Sequence, residues 1–191
     1  MAVKKSLPKV TSFRLQRGEL LADKYQVLSR LGAGWEGEVY LVRERGTRIE
    51  RTAKIFFPRR NPRDRALRFN ARKLHKLRNC PVVIQYRTRD SYLHNGTKVS
   101  IMLSDFVEGE LLSKFLRRQR GGRLSPFQGI HLLHALASGI ECIHSMGEYH
   151  GDLHTDNIIV TRFGLVEYNA FASSPLAYQD TIILPLGGSP N

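Results

Sequence analysis

The chain has 191 residues, with 30 Lys+Arg against 17 Asp+Glu and a net charge of +13; 41% of residues are hydrophobic and 25% charged. These proportions are ordinary for a globular protein and exclude a fibrous or low-complexity chain, while the basic excess fits either a solvated basic surface or contact with a polyanion. No apolar run reaches the roughly 18 residues a membrane span needs, and the basic first residues lack the apolar stretch of a signal peptide, so a soluble, cytoplasmic protein is expected.

Residues 1–23 read as a basic extension without clear period. From Tyr25 the texture changes: the run 25–31 alternates apolar and polar, as a half-buried strand does. Glycines at 32, 34 and 37 follow, and 38–42 resumes the strand pattern, which predicts a hairpin. A third strand is predicted over 51–57, stopped by Pro58. Asn61 and Pro62 suit a helix start, with Ala66, Leu67, Phe69, Leu74 and Leu77 on one face. Strands are expected at 82–84 and 98–103, the latter after the Asn95-Gly96 turn signal. A short helix is expected over 110–119. The run 126–146 has the strongest helical period, with Ile130, Leu133, Leu136, Ala137, Ile140 and Ile143, and predicts a buried helix. Cys80 and Cys142 form no metal-ligating spacing and read as two reduced thiols, with a disulfide as the alternative. The plan is α+β: an extension (1–23), a sheet with one helix (24–108) and a mainly helical part (109–191). Nothing in it fixes an oligomeric state.

Three motifs carry chemistry. The first is Gly32-Ala-Gly34-Trp-Glu-Gly37-Glu-Val39. Glycines at this spacing also mark plain hairpins, but they let backbone N–H groups approach phosphate oxygens without a Cβ in the way. A strand follows where a dinucleotide-binding turn would open a helix, which disfavours that reading. The second is Lys54 beside the small Ala53, a strand lysine placed to meet phosphate; most strand lysines face solvent instead. The third is His150-Gly-Asp152-Leu-His154-Thr-Asp-Asn157 before an apolar run, 158–160. An Asp and an Asn five residues apart put a base and a metal ligand in one loop, where turn formation is the plainer reading. His150 reads as structural and His154 as a local hydrogen-bonding group.

Together the motifs resemble the protein kinase superfamily over about residues 25–160. The resemblance implies a bilobal fold with an antiparallel N-lobe sheet plus helix, a truncated helical C-lobe, and ATP with Mg²⁺ in the cleft between the lobes. It implies that Gly32, Gly34 and Gly37 cover the phosphates, and that Val39 and Ala53 bound the adenine. Lys54 would contact the α- and β-phosphates. Asp105 and Val107 would offer backbone groups to the adenine, with Ser104 as gatekeeper and Ile159 as the pocket floor. Asp152 would be the catalytic base, and Asn157 and Asn169 the Mg²⁺ ligands. The pattern departs from the family in three places. The loop reads H-G-D-L-H, as in aminoglycoside phosphotransferases and other atypical kinases. Asn70 stands where a helix glutamate would pair with the lysine. No D-F-G occurs, its place falling near Tyr168-Asn169-Ala170-Phe171, with Glu167 as a substitute ligand. The implied function is transfer of the ATP γ-phosphate to a hydroxyl, Ser or Thr of a protein being favoured. The alternatives are a pseudokinase acting as a nucleotide- or protein-binding module, and a polyanion-binding protein.

Overall fold

The computed structural model describes residues 10–161 and the backbone of Val166–Glu167. The chain forms two compact units, 1–71 with 86–106, and 72–85 with 107–191. The single join expected near 107–110 is therefore accompanied by an earlier crossing, which assigns 72–85 to the second unit.

The first unit is a six-stranded antiparallel sheet made of β1 (Leu20–Leu21), β2 (Tyr25–Ala33), β3 (Gly37–Glu44), β4 (Glu50–Phe56), β5 (Tyr86–His94) and β6 (Thr97–Asp105). Their order is β1-β2-β3-β4-β6-β5. The β5–β6 hairpin turns at Asn95 and Gly96, both at positive φ (47° and 74°), the pairing that suits the twist of a two-residue turn. The strand expected at 82–84 is displaced to β5. Val83 and Ile84 are buried just after a turn at Pro81–Val82, and the Gln85 side chain donates to the Val83 carbonyl at 2.7 Å. β5 is an edge strand with neither face fully covered, so its sequence shows little apolar alternation.

Alternation separates the sheet's two faces. Tyr40, Val42, Ala53, Ile55, Ile101 and Leu103 point into one cluster, joined by Phe13 and Leu21. Phe13 stacks on Phe57 with ring centroids 5.3 Å apart. The stretch expected to be an aperiodic extension thus contributes an edge strand and two core side chains. A buried carboxylate reinforces the attachment. Glu38 accepts from Ser12 Oγ (2.8 Å), Phe13 N (3.1 Å), Arg30 Nη2 (2.9 Å) and Tyr40 OH (2.6 Å). Burial and that carboxylate push the Tyr40 hydroxyl up to about 12.

Helix α1 (Arg65–Lys76) starts where Asn61 Oδ1 accepts the Leu67 N–H at 3.1 Å. It buries Leu67 and Leu74, and Leu77 just beyond it, and turns its arginines outward; Phe69 stays 43% exposed, off the expected face.

The second unit holds β7 (Gly109–Leu111), α2 (Leu112–Arg118), α3 (Pro126–Ser145), β8 (Ile159–Thr161) and β9 (Val166–Glu167), with sheet order β7-β8-β9. Ser125 and Gln128 form a reciprocal capping box at the start of α3, and Pro126 takes a first-turn position, where a missing N–H costs nothing. The buried helix expected here is only partly buried. Ala135, Gly139 and Ile143 are covered, but Ile130 and Leu133 are 69% and 67% exposed. Among the described residues nothing covers that side of the helix. The two cysteines are a further correction: Cys80 and Cys142 are joined as a disulfide, their Cα atoms 6.0 Å apart, within bridging range. Two cysteines 62 residues apart give no sequence signal for this pairing.

Candidate phosphotransfer site

In the first unit the site grows from the sheet face opposite the Phe13 cluster. Val39 pairs directly with Lys54, and Lys54 with Met102, so these side chains share a face; Thr52 and its partner Ser104 lie on it two residues along. Lys54 is almost wholly buried, with its side chain 3% exposed. Its Nζ donates to Glu36 Oε2 at 2.6 Å and lies 5.0 Å from the centre of the Phe56 ring. Burial lowers the lysine's pKa, and the Glu36 charge and hydrogen bond oppose that shift. Asn70 Nδ2, on α1, donates to the same Glu36 oxygen at 3.2 Å. The expected lack of an ion pair at Lys54 is thus made good from the glycine-rich turn.

The turn itself is pinned on both sides of Glu36. Phe57 N donates to the Glu36 carbonyl at 2.8 Å, Gly34 N to the Gly37 carbonyl at 2.9 Å, and the Arg60 guanidinium lies over the Trp35 ring. The three glycines are not equivalent. A Cβ on Gly37 would lie 1.9 Å from the Ile55 carbonyl oxygen, so β4 can approach only a glycine there. A Cβ on Gly32 would meet nothing.

In the second unit, Lys73 Nζ donates to the Tyr149 carbonyl at 2.9 Å and fixes the start of the 150–157 loop. His150 is buried, and its Nδ1 accepts the Asp152 N–H at 3.2 Å. Burial, then the Lys73 charge, then His154 lower its pKa to about 3, so the ring is neutral. Gly151 sits at φ +84°, a conformation that glycine adopts without strain. The buried Asn157 donates from Nδ2 to the Asp152 carbonyl (2.7 Å) and to Asp152 Oδ2 (3.1 Å). His154 Nδ1 accepts the Asp156 N–H at 3.2 Å, and its Nε2 lies 2.8 Å from Asn157 Nδ2 and 3.5 Å from Asp152 Oδ2. Asp152 is therefore held from two sides, with its side chain 24% exposed.

The structure brings together Asp152, Asn157 and His154, and separately Lys54, Val39 and Ser104. Ile159 is buried in β8, where a Cβ on Gly109 would meet its side chain at 2.5 Å. Ala53 is corrected: it packs with Tyr40 in the core cluster, on the face away from Lys54. The side chain that shares the lysine's face is Thr52, which strand alternation alone would have selected. Asp105 spends its carboxylate on Arg51 and on Arg87, whose Nε donates at 2.7 Å. Asp105 ends β6, and Val107 opens the second stretch of the second unit. Asn169 and the Glu167 side chain lie outside the described residues. Glu36 was missed; its signal was a carboxylate between the glycines at a site where Asn70 had left the lysine without an acid.

Fold and residues define a protein-kinase-like domain. The chain belongs to the protein kinase family: the model of the protein kinase domain matches residues 25–169. It is 35% identical over 100 residues to CBL-interacting serine/threonine-protein kinase 8 of Arabidopsis thaliana, covering 52% of this chain and 22% of that protein. It is 24% identical over 170 residues to serine/threonine-protein kinase Nek6 of Oryza sativa subsp. japonica, covering 88% and 31%. The kinase domain of Mycobacterium tuberculosis PknI shares the fold, with a TM-score of 0.60 at 21% identity over 84% of this chain and 64% of that one. The chain spans less than half the length of these curated relatives.

Proposed function

We propose that the chain is an ATP-dependent phosphotransferase that moves the γ-phosphate to a hydroxyl, of Ser or Thr in a protein. The observation that carries this reading is the 150–157 loop, where Asn157 and His154 hold one carboxylate, Asp152, in a fixed and partly solvated position. In the reaction the acceptor oxygen bonds to the γ-phosphorus, the bond to the β-bridging oxygen breaks, and Asp152 takes the hydroxyl proton. Lys54 offers an ammonium to phosphate oxygens, and Val39 and Thr52 on its face line the nucleotide. The Asn157 amide oxygen is a hard donor that would suit Mg²⁺ when phosphate, water and a second ligand, for which the sequence offers Asn169, complete its shell. Bound Mg²⁺ would supply charge neutralisation of the phosphates.

The reading is tested with Mg·ATP. Wild-type protein gains thermal stability in millimolar Mg·ATP, Lys54→Ala loses the gain, and Asp152→Ala keeps it but transfers no phosphate. Absence of any shift in the wild type refutes nucleotide binding. A shift without transfer, indifferent to Asp152→Ala, selects a nucleotide-binding module instead.

A further inference from the structure

We propose that Glu36 is the positioning residue for Lys54, supplying from the glycine-rich turn the carboxylate that α1 lacks, with Asn70 as its anchor to that helix. The argument begins with what a buried ammonium requires. Removing a charge from water costs several kcal/mol unless an opposite charge and hydrogen bonds replace the lost hydration. Lys54 is buried, and Glu36 meets it at 2.6 Å. Asn70 cannot neutralise a lysine, but it can donate to a carboxylate, and its Nδ2 reaches the same Glu36 oxygen at 3.2 Å. Lys54 and Asn70 thus converge on one atom.

The carboxylate is also fixed at its base. The Glu36 carbonyl accepts from Phe57 N at 2.8 Å, and the neighbouring Trp35 ring lies against Arg60. These contacts fix the backbone from which the carboxylate reaches, so pairing has only the Glu36 side chain itself left to order. The consequence is that the turn and the lysine are one mechanical piece: whatever displaces the tip of the glycine turn displaces the lysine's counter-charge. In a domain with its carboxylate on the helix, those two movements would be separate.

The inference rests on the proposed function only for its effect on nucleotide, so its test has a readout in the unliganded protein. Protein labelled with ¹³C at lysine Cε is titrated by NMR, the Lys54 signal being assigned from Lys54→Arg. Glu36→Gln lowers the Lys54 pKa by about one unit or more. Glu36→Gln combined with Asn70→Glu restores it, because the acid returns on the helix. In parallel, Glu36→Gln weakens Mg·ATP binding roughly tenfold, equivalent to about 1.4 kcal/mol, and the double variant recovers it. If Glu36→Gln fails to fold, Asn70→Leu and Glu36→Asp, which perturb the same oxygen, report the same downward displacement. An unchanged Lys54 titration in Glu36→Gln overturns the proposal. So does tighter Mg·ATP binding in that variant, which would make Glu36 a competitor of phosphate. A titration that follows the proposal in a wild type unable to bind Mg·ATP leaves the positioning role standing and removes only the phosphotransferase reading.

Discussion

The two groups of candidate residues, one in each unit, are built on opposite principles. In the first unit the key group is a cation taken out of water: Lys54 is 3% exposed and held by Glu36. In the second, the key group stays near water: Asp152 is 24% exposed and His154 40%. Burial stiffens a charge but ties it to the stability of its surroundings, whereas a solvated carboxylate can accept a proton at little cost to the fold. The sheet unit should therefore respond to substitution through stability and binding, and the loop unit through rate.

The sharpest way to break this contrast is at Asp152. Asp152→Ala lowers the phosphate-transfer rate by roughly 10²–10⁴-fold, the usual span for a general base, with a change in unfolding free energy within about 0.5 kcal/mol; single-turnover kinetics and denaturant melts read the two quantities separately. His150 marks the limit of the contrast, since it is the buried member of the loop. Its folded pKa of about 3 lies below the ordinary histidine value of 6.5. The unfolded chain therefore binds a proton that the folded one refuses, and stability falls as pH drops from about 6.5 towards 3. The loss attributable to this ring is on the order of 4 kcal/mol. Urea melts across that range show it, and it shrinks in His150→Gln.

Within the sheet unit, Gly37→Ala forces a Cβ to within 1.9 Å of the Ile55 carbonyl, and it destabilises by about 3 kcal/mol. Gly32→Ala, with open space around it, changes stability by less than about 1 kcal/mol. Thermal melts of the pair separate a structural glycine from one free to serve a ligand. An intermediate effect is expected at Tyr40→Phe, which removes one donor from the buried Glu38 and costs about 1–2 kcal/mol. A loss well above that would show that the N-terminal segment detaches with it.

Much of the sheet unit was legible in the sequence because alternation and turn residues report local geometry directly. The motifs also singled out Lys54, Val39, Asp152 and Asn157, and the fold pairs Val39 with Lys54 and hydrogen-bonds Asn157 to Asp152. What was missed depends on distant parts of the chain. Phe13 and Leu21 lie in an aperiodic stretch, and only their burial against Phe57 and Tyr40 gives them a place. Ala53 was misassigned because adjacency along the chain was taken as adjacency in space, whereas a strand puts neighbouring residues on opposite faces. The apolar row of α3 was read as buried because period reports which face is apolar, not whether anything covers it. Glu36 was hidden because a carboxylate in a glycine-rich turn has no periodic signature, and its meaning appears only once Lys54 and Asn70 are seen to share it.

The most direct measurement is phosphate release from γ-labelled ATP to a degenerate Ser/Thr peptide pool, with wild type and Asp152→Ala run side by side in Mg²⁺. The account predicts labelled peptide from the wild type and none above background from the variant. Equal labelling by both proteins, or no labelling and no Mg·ATP stabilisation of the wild type, would contradict it.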